Sequence, residues 1–349
     1  MALSNGDGED RFRVVAAARG ADGERPVLSG RFTWLDLPVS DRVSNALWHR
    51  ARAPIPIEVR TGRIDVFHSP DFSLAPSRAP SIVTIHDLAF DLMPQVSYPT
   101  LAQYLHRTVP RSIRRAQAVI APSEYTKQSI VSLYGTAPEK IRVIPEGVDA
   151  CFVPHAQPAD AERLSRLGLQ RPFLLSPGTL EPRKNLERLL EAFASVRSKH
   201  GDLLLVLAGG RGWLDDGIFA KHGQLGLGDS VRFLGHVDDS TLSALYRHGL
   251  ATVYPSLLEG FGLPPLEALA CGSPLVASGN SSIPEVCGDA AVYVDPWDVE
   301  DMSTSIATVV EDEALRASLR EQGPRRASTF TWNRTAQTTL QLYHYVAGR

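Results

Sequence analysis

Short apolar runs alternate with helix-length amphipathic stretches along most of the chain. Continuous apolar runs of this length, several of them rich in β-branched residues, are typical of strands buried on both faces of a parallel sheet. The runs span residues 12–17, 32–35, 64–68, 82–85, 118–121, 141–144, 173–176, 203–208, 231–234, 251–254, 274–277 and 291–294. They form two consecutive series, so the pattern predicts an α/β protein with two Rossmann-like, doubly wound domains.

A stretch rich in proline and glycine separates the two series. Between residues 146 and 171 the chain carries Gly147, Pro154 and Pro158, then a short polar helical segment. Proline and glycine interrupt both strand and helix periodicity, as a linker requires. The sequence therefore predicts one domain over residues 1–150, a second over 151–330 and a final helix within 331–349. At about 150 residues per domain, the length fits two domains.

Composition and charge exclude several classes of protein. The chain has 36 lysines and arginines against 39 aspartates and glutamates, so it lacks the basic field of a dedicated nucleic-acid binder. Its three cysteines are far apart, which argues against a disulfide framework or a zinc site. No apolar run approaches the roughly 20 residues of a membrane span, and the N-terminus is too polar for a signal peptide. We therefore expect a cytoplasmic protein.

The first candidate site is the glycine-containing loop after the tenth apolar run. Gly260 and Gly262 permit close approach of the backbone to a ligand, and the N–H groups of the following helix start favour an anion. Glu259 and Glu267 flank this turn, and carboxylates accept hydrogen bonds from vicinal sugar hydroxyls. A lone Glu267 would be explained by the helix dipole. Two carboxylates around one turn favour a ligand site.

A second loop, residues 176–185, also joins a strand to a helix. Gly178 lets the chain turn, and Arg183 and Lys184 stand at the start of the helix. Because the helix dipole disfavours cations at that end, the two residues indicate an anionic partner such as a diphosphate. The alternative is a solvated surface pair.

Two histidines follow apolar runs of the first series. His86 comes directly after the fourth run, and a histidine at the carboxyl end of a strand faces the crevice of an α/β sheet. The alternative is a structural histidine held by hydrogen bonds. His68, at the end of the third run, is a weaker candidate of the same kind.

Together these motifs resemble the nucleotide-binding domain of the retaining glycosyltransferases of family four, which have the GT-B fold. The resemblance rests on PGTLEPRKN (177–185), VLAGG (206–210), VRFLGHV (231–237), YPSLLEGFGLPPLEALACGSPLVAS (254–278) and SSIPEVCGDAAVYVDP (281–296). Glu259 and Glu267 have the family's E-x7-E spacing. VTIHDLAF (83–90), APSEYTK (121–127) and VIPEGVD (143–149) extend the resemblance, more loosely, into the first half.

The resemblance implies roles for individual residues. Arg183 and Lys184 would hold the donor diphosphate and stabilise it as a leaving group. Glu267 would bind the ribose hydroxyls, Glu259 would bind hydroxyls of the donor sugar, and His86 would lie across the cleft near that sugar. The remaining donor-binding positions would be Gly178, Thr179, Gly260, Phe261, Gly262 and Leu263.

Two further positions follow from the same resemblance. Many family members carry arginine where this chain has Thr179, so Arg183 would supply the missing charge. Asp87 would orient His86 or the loop that carries it. We also expect the two domains to close about the linker (residues 146–171), which would exclude water and complete the site. The resemblance implies that the final helix returns to the first domain.

The activity that the resemblance implies is transfer of a sugar from a UDP- or GDP-sugar to an acceptor with retention of configuration. A mannosyltransferase-like enzyme of polysaccharide, lipopolysaccharide or other cell-envelope synthesis is the expectation, with a glycan or lipid-linked acceptor. The chain has no D-x-D triplet, no P-loop and no G-x-G-x-x-G motif. We therefore expect metal-independent transfer without a cofactor.

A basic helical face lies between residues 100 and 116. Four arginines share one side and four apolar residues share the other, and a single proline interrupts the segment: Arg107, Arg111, Arg114 and Arg115; Leu101, Leu105, Val109 and Ile113; Pro110. The simplest interpretation is a core-facing helix with a solvated side. The functional interpretation is a face for a lipid-linked acceptor or anionic lipid, which would place the protein peripherally on the inner face of the membrane.

Three other functions compete with a transferase. A sugar-nucleotide 2-epimerase would share the architecture, but the E-x7-E pair argues against it. A pseudo-glycosyltransferase would bind a nucleotide sugar or a partner without turnover. A nucleic-acid or regulatory module has only the basic face in its favour.

The start of the chain departs from the family. Members usually open with a strand, a glycine-rich loop and a helix near the acceptor site, and this unit is not evident here. The polar tail before residue 12 is too short for it, since a strand and helix together need on the order of 20 residues. We expect the first domain to lack its opening unit and its sheet to contain a gap or an exposed edge.

Overall fold

The computed structural model describes residues 10–16, 30–51 and 53–348. Its strands are β1 (Phe12–Ala16), β2 (Phe32–Asp36), β3 (Phe67–Ser69), β4 (Ser81–Thr84), β5 (Ala118–Ala121), β6 (Ile141–Val143), β7 (Phe173–Pro177), β8 (Leu204–Ala208), β9 (Val231–Gly235), β10 (Ala251–Tyr254), β11 (Leu275–Ser278) and β12 (Val292–Val294). Each predicted apolar run coincides with one of these strands or overlaps it. The strongest prediction from the sequence pattern is thereby confirmed.

Helices occupy the stretches between the strands. They are α1 (Asp41–Asn45), which continues into a π-helical turn (Ala46–Arg50), α2 (Glu58–Thr61), α3 (Ala89–Leu92), α4 (Pro99–Arg115), α5 (Glu124–Tyr134), α6 (Asp160–Arg166), α7 (Leu186–Arg197), α8 (Asp216–Gln224), α9 (Asp239–His248), α10 (Leu263–Ala270), α11 (Ile283–Cys287), α12 (Val299–Glu311), α13 (Glu313–Ala327) and α14 (Trp332–Ala347). Short 3₁₀ turns cover Pro94–Val96, Pro138–Lys140, Pro182–Lys184 and Gly228–Ser230. Among the described residues, no helix combines the length and apolar composition needed to cross a bilayer.

The strands form three parallel sheets. The second half of the chain builds a six-stranded sheet in the order β12-β11-β10-β7-β8-β9, and the first half builds a four-stranded sheet in the order β3-β4-β5-β6. The strands β1 and β2 pair with each other, with Phe12 opposite Phe32. Parallel sheets flanked by helices are the architecture that the apolar runs predicted.

The six-stranded sheet is buried on both faces because successive side chains of its strands point to opposite sides. In β8, Leu204 and Val206 join one apolar cluster, while Leu205 and Leu207 join the cluster on the other face. This explains why the sequence of β8 is continuously apolar rather than alternating.

The four-stranded sheet is built in the same way, and the final helix covers one of its faces. Val83 and Val119 pack with α4 on one side. On the other side Ile82 and Ile120 pack with Leu342 of α14. The last helix of the chain therefore lies against the first sheet although it follows the second.

The order of the six-stranded sheet places a switch point between β7 and β10. The chain runs outward from β7 through β8 to β9, then returns to β10 on the other side of β7 and runs outward again. In open α/β sheets, ligands bind beyond the carboxyl ends of the strands at such a point. The loops that follow β7 and β10 contain the two candidate motifs.

Three local expectations were wrong. Arg183 and Lys184 lie in the 3₁₀ turn before α7 and not at the start of an α-helix. Pro110 lies inside α4 without ending it. Leu101, expected on the apolar face of α4, is 47% exposed because it lies in the first turn of the helix, ahead of the buried part.

The expectation of a missing opening unit concerns the tail before residue 12, of which residues 1–9 lie outside the described residues. The strands β1 and β2 lie on either side of the undescribed residues 17–29, and they form a sheet of their own.

Candidate active site

The loops after β7 and β10 are held side by side at the switch point of the second sheet. The backbone N–H of Leu257 donates to the carbonyl of Arg183 at 2.8 Å. The Asn185 side-chain amide donates to the carbonyl of Pro255 at 3.1 Å. Because Asn185 adopts a left-handed conformation (φ 60°), the chain turns sharply from the 3₁₀ turn into α7. This turn directs Arg183 and Lys184 inward, to the loop after β10.

A buried cluster of charged side chains joins the two loops. Lys184 Nζ lies 2.7 Å from Glu259 Oε1, and Arg183 Nη1 lies 2.8 Å from Glu259 Oε2. On its other side, Arg183 Nη2 lies 2.7 Å from Glu181 Oε1. Lys184 is 8% exposed and Glu259 is 7% exposed, so the cations are not a solvated surface pair. The structure brings together Arg183, Lys184 and Glu259, which were singled out separately.

The charges in this cluster fix its protonation. Burial alone raises the pKa of Glu259, but the charges of Lys184 and Arg183 outweigh it and lower that pKa to about 2. Burial lowers the pKa of Lys184, and Arg183 lowers it further against the attraction of Glu259. Burial also acts to lower the pKa of Arg183, but Glu259 and Glu181 raise it overall. Glu259 is therefore a permanent carboxylate that holds the two cations in place.

Hydroxyl groups complete the coordination of Glu259. Ser256 Oγ and the Tyr254 hydroxyl donate to Glu259 Oε1 at 2.6 and 2.9 Å. Lys184 Nζ donates to the Tyr254 hydroxyl at 2.5 Å and lies 4.9 Å from the centre of its ring. The carboxylate thus has four protein partners, which orient it rigidly. Whether it also binds donor-sugar hydroxyls stays a prediction.

The glycine loop touches the first domain through its backbone. A Cβ atom at Gly260 would lie 1.8 Å from the carbonyl oxygen of His86, so only glycine fits there. Ser123 Oγ and Thr126 Oγ1 donate to the carbonyl of Gly260 at 2.6 and 3.1 Å. Ser123 is also the N-cap of α5, as its position before a helical pattern predicts. The loop after β10 and the residues after β4 are therefore in direct contact.

A carboxylate of the second domain reinforces this contact. Glu285 of α11 accepts hydrogen bonds from the backbone N–H groups of Glu124 and Tyr125, at 2.7 and 2.6 Å. Free N–H groups in the first turn of a helix attract an anion, and here the other domain supplies it. The two domains therefore contact each other beside the candidate site.

His86 lies at this contact and is oriented by its two ring nitrogens. His86 Nδ1 lies 3.3 Å from Glu146 Oε1, and His86 Nε2 lies 2.9 Å from the carbonyl oxygen of Pro70. The hydrogen bond to Glu146 raises the pKa of His86 despite its burial. The neighbouring Asp87 accepts a hydrogen bond from the N–H of Ala89 in its own loop. In this structure Glu146, a residue not singled out from the sequence, is the carboxylate paired with His86.

The other donor-site positions line the same loops. Gly178 (φ 115°) and Gly262 (φ 113°) adopt backbone conformations that favour glycine. Thr179 lies next to Gly212, where an added Cβ would come within 2.7 Å of Thr179 Cγ2. Phe261 is 5% exposed and packs in the core, with its ring centre 5.8 Å from that of Phe330. Leu263 opens α10 and packs against the same core, so at these two positions the backbone faces the loop.

Glu267 occupies a different environment on α10. The hydroxyl of Tyr246 donates to Glu267 Oε2 at 3.0 Å. Burial raises the pKa of Glu267 to about 7, and the nearby carboxylates of Asp239 and Asp149 add to the rise while Tyr246 opposes it. In the described part of the chain, no cation forms an ion pair with Glu267. The carboxyl group is therefore poised to change its charge near neutral pH.

His68 is half-buried between the first sheet and the final helix. Its Nδ1 lies 2.6 Å from the Tyr343 hydroxyl of α14 and its Nε2 lies 2.9 Å from Thr84 Oγ1. Burial, with a smaller contribution from His86, lowers the pKa of His68 to about 4. The side chain is thus a neutral link between the first sheet and the final helix.

The basic face of α4 lies at the opposite end of the first sheet. α4 leads to the amino end of β5, whereas His86 follows the carboxyl end of β4. Three of its arginines line a cavity of about 420 Å³, and Arg107 is exposed outside it. The lining residues include Arg111, Arg114, Arg115, Trp48 and His49. The four arginines therefore do not share the cleft with the residues around Glu259.

Sequence reasoning missed the groups that support the charged residues. Glu181 stands inside the PGTLEPRKN motif, and its position two residues before Arg183 was a signal that could have been used. In the sequence alone, Tyr254 and Ser256 look like ordinary residues at the end of a strand. Tyr246 reads as a core residue of α9, where it is fully buried. Only the folded chain shows which acid or cation each of them contacts.

Comparison with known protein families gives matches over both halves of the chain. Residues 161–326 match the model of the glycosyl transferases group 1, and residues 4–151 match that of glycosyltransferase family 4. The first match contains the buried charge cluster, and the second contains His86.

Curated relatives and solved structures agree with these matches. The O-antigen chain mannosyltransferase B of Escherichia coli is 30% identical over 80% of this chain and 74% of its own length. The glycogen synthase of Mycobacterium tuberculosis is 31% identical over 81% of this chain and 69% of its own length. Among solved structures, sucrose-phosphate synthase from Thermosynechococcus elongatus superimposes with a TM-score of 0.75 at 21% identity, covering 95% of this chain and 88% of that one. The last similarity concerns the fold.

Proposed function

The chain belongs to glycosyltransferase family 4, and from this premise we propose that it transfers mannose or a related hexose from a nucleotide sugar to a glycan or lipid-linked acceptor. Assembly of O-antigen or another cell-envelope polysaccharide is the setting that we propose. The similarity to the Escherichia coli O-antigen mannosyltransferase supports this choice of sugar and of process. The glycogen synthase relative shows that similarity at this level does not select the donor.

The observation that carries the proposal is the buried pair of cations at the switch point. Arg183 and Lys184 are held by Glu259 at the place where the helix start and the glycine loop also favour an anion. As the bond between sugar and diphosphate breaks, negative charge develops on the leaving diphosphate. Two pre-placed cations in a water-poor site stabilise that charge without reorganisation. This arrangement supports transfer that needs no metal ion.

The remaining donor contacts are proposed from the positions of the loops after β7 and β10. Glu267 accepts hydrogen bonds from the ribose hydroxyls, and Gly178, Thr179 and the Gly260–Leu263 backbone surround the diphosphate. His86, at the contact between the domains, approaches the donor sugar from the acceptor side. Retention of configuration is proposed from family membership, and no residue is assigned as a covalent nucleophile.

Donor binding is the first test of this proposal. Isothermal titration with UDP-glucose and with GDP-mannose should give saturable binding of at least one donor. Lys184→Ala and Glu267→Ala should each weaken that binding at least tenfold, because each removes a contact to a different part of the donor. Lys199→Ala is the matched control, since Lys199 is an exposed lysine of the same domain. Unchanged affinity in both site variants would refute the assigned site.

Turnover separates an enzyme from a pseudo-glycosyltransferase. We expect slow hydrolysis of the bound donor, or transfer to a glycan acceptor, in the presence of EDTA, and NMR of the product should show the anomeric configuration of the donor. Binding without any turnover would support the pseudo-enzyme alternative. Activity that EDTA abolishes would refute metal independence.

The basic face of α4 carries a separate proposal, contact with an anionic membrane surface. Arg111, Arg114 and Arg115 share their cavity with Trp48, and aromatic and cationic side chains together suit a lipid headgroup region. The protein should sediment with vesicles containing phosphatidylglycerol at low salt, less so at high salt, and not with phosphatidylcholine vesicles. Arg114→Glu should reduce this binding. Binding that ignores both salt and the substitution would refute the proposal.

A further inference from the structure

The hydroxyl group of Tyr246 has two acceptors and a single hydrogen. It lies 3.0 Å from Glu267 Oε2 and 3.2 Å from the carbonyl oxygen of Pro264. Tyr246 is fully buried, so water does not supply a second donor. A phenolic hydroxyl donates one hydrogen bond and can accept others. When Glu267 is ionised, Tyr246 donates to the carboxylate, and the carbonyl of Pro264 keeps its helical hydrogen bond from the N–H of Ala268 within α10.

A proton on Glu267 reverses the hydrogen bond between the two side chains. The carboxylic acid then donates to the Tyr246 oxygen, and Tyr246 donates to Pro264, so each group has a partner. Burial and the other titratable groups that act on Glu267 favour this neutral state, whereas the hydrogen bond that Tyr246 donates to the carboxylate opposes it. Asp239 at the start of α9 and Asp149 in the linker are both acidic, and they raise the pKa of Glu267 beyond the effect of burial. Cys271, one turn further along α10, is a neutral thiol because burial raises its pKa.

We propose that Tyr246 is a positioning residue for Glu267, and that binding of the nucleotide-sugar donor expels a proton held between these two side chains. The inference rests on the proposed function, in which Glu267 meets the ribose. Two ribose hydroxyls are hydrogen-bond donors, and a carboxylate accepts hydrogen bonds from both more strongly than a neutral carboxylic acid does. On binding, Glu267 loses its proton to solvent, Tyr246 turns its hydrogen to Glu267, and the ribose hydroxyls donate to the remaining lone pairs.

Donor affinity should therefore depend on pH in a defined direction. The free protein must give up a proton before it binds, so affinity rises with pH and levels off once Glu267 is ionised in the free protein. With the pKa of Glu267 at about 7, the dissociation constant at pH 5.5 should be about 30-fold higher than at pH 8.5. In titrations near pH 6.5, the binding enthalpy should vary with the ionisation enthalpy of the buffer, which reports the proton released.

The experiment is a titration of the full chain with UDP-glucose or GDP-mannose, whichever binds, at pH 5.5 to 8.5. These donors are preferred to free nucleoside diphosphates because their phosphates do not titrate in this range. Glu267→Gln keeps the shape of the side chain but cannot ionise, so its affinity should be lower and nearly independent of pH. His86 also has a shifted pKa, and the Gln variant separates its contribution from that of Glu267.

Two substitutions should move the pH midpoint in opposite directions. Tyr246→Phe removes the group that stabilises the carboxylate, so the midpoint should rise by about one pH unit. Asp239→Asn removes a repelling charge, so the midpoint should fall. Asp239 is exposed, so its variant keeps the test available if Tyr246→Phe fails to fold. Tyr293→Phe is the matched control, because the Tyr293 hydroxyl bonds to a backbone carbonyl in the same domain without contacting Glu267.

The outcomes separate this inference from the proposed function. Affinity that does not change between pH 5.5 and 8.5, or a Glu267→Gln variant with the wild-type pH dependence, would overturn the inference and leave the proposed function standing. If neither Tyr246→Phe nor Asp239→Asn changes the pH midpoint of donor binding, the proposed role of Tyr246 is overturned. Failure of both donors to bind at every pH would overturn the proposed function and the inference with it.

Discussion

The two glutamates of the E-x7-E motif are only eight positions apart, yet their surroundings are opposite. Glu259 lies between Arg183 and Lys184, which lower its pKa to about 2 although the side chain is buried. Glu267 is half-buried beside Tyr246, with the carboxylates of other segments nearby, and its pKa rises to about 7. Burial acts on both groups in the same direction, so the neighbouring charges and hydrogen bonds separate their pKa values.

This difference shows that one motif can contain two carboxyl groups with very different pKa values. Glu259 keeps a constant charge over the physiological pH range, as a group that fixes two cations must. The pKa of Glu267 lies near neutrality, so the charge of this carboxyl group changes within that range. The contrast gives testable consequences for each side of the motif.

The largest expected effect comes from removing the charge of Glu259. Glu259→Gln leaves the buried Arg183 and Lys184 without their shared carboxylate, so the free energy of unfolding at pH 7 should fall by about 3–5 kcal/mol in urea denaturation. Glu191→Gln is the control, because Glu191 forms a more exposed pair with Lys221. We expect that variant to lose less than about 1 kcal/mol. Equal losses would mean that the buried cluster does not differ from a surface pair.

Removing one cation tests the catalytic side of the cluster. Lys184→Met preserves the length of the side chain and leaves Glu259 paired with Arg183. Turnover of the donor should fall by about 10²–10³-fold, as for the loss of one pre-placed group that stabilises developing charge. Initial rates of donor hydrolysis or transfer measure this loss. Lys221→Met is the matched control, and a similar loss there would contradict the special role of Lys184.

The dependence of stability on pH should distinguish the two glutamates directly. The folded pKa of Glu267 lies above its unfolded value of 4.5, so its contribution to stability is greatest at low pH and declines as pH rises towards 7. Relative to Glu267→Gln, the wild type should lose about 3 kcal/mol of unfolding free energy between pH 4.5 and pH 8.

For Glu259 the sign is reversed. Its folded pKa lies below the unfolded value, so its stabilisation is complete above pH 5 and is lost only as pH falls towards 2. The difference between the wild type and Glu259→Gln should therefore stay constant from pH 5 to pH 8. If the difference in unfolding free energy from the wild type varied with pH in the same way for both variants, the contrast between the two glutamates would be refuted.

The smallest expected effect concerns the hydroxyl groups that support Glu259. Tyr254→Phe removes one donor to Glu259 Oε1 and one acceptor of Lys184, so the free energy of unfolding should fall by about 2 kcal/mol. Tyr293→Phe, which removes a hydroxyl bonded to a neutral carbonyl, should cost about 1 kcal/mol. A smaller loss for Tyr254→Phe than for Tyr293→Phe would indicate that Tyr254 does not stabilise the charged cluster.

Much of the fold was predictable from the sequence. The apolar run of β8 and the two adjacent prolines in the first turn of α10 are local signals. Such signals can be recognised without knowing which segments pack against them. The loops that carry Arg183, Lys184 and Glu259 were predictable in the same way, because each follows a strand and precedes a helix. The 3₁₀ turn before α7 was not, since the left-handed Asn185 is fixed by carbonyls of other loops.

The sequence by itself determined which residues could carry charge, which segments form strands and which loops lie at their carboxyl ends. Tertiary structure alone decided which charges meet. Arg183 and Glu259 are far apart along the chain and become partners only because β7 and β10 are neighbours in the sheet. The physical reason is that a pKa depends on burial and on charges within a few ångströms. Both are set by folding, so two glutamates of one motif acquire opposite properties.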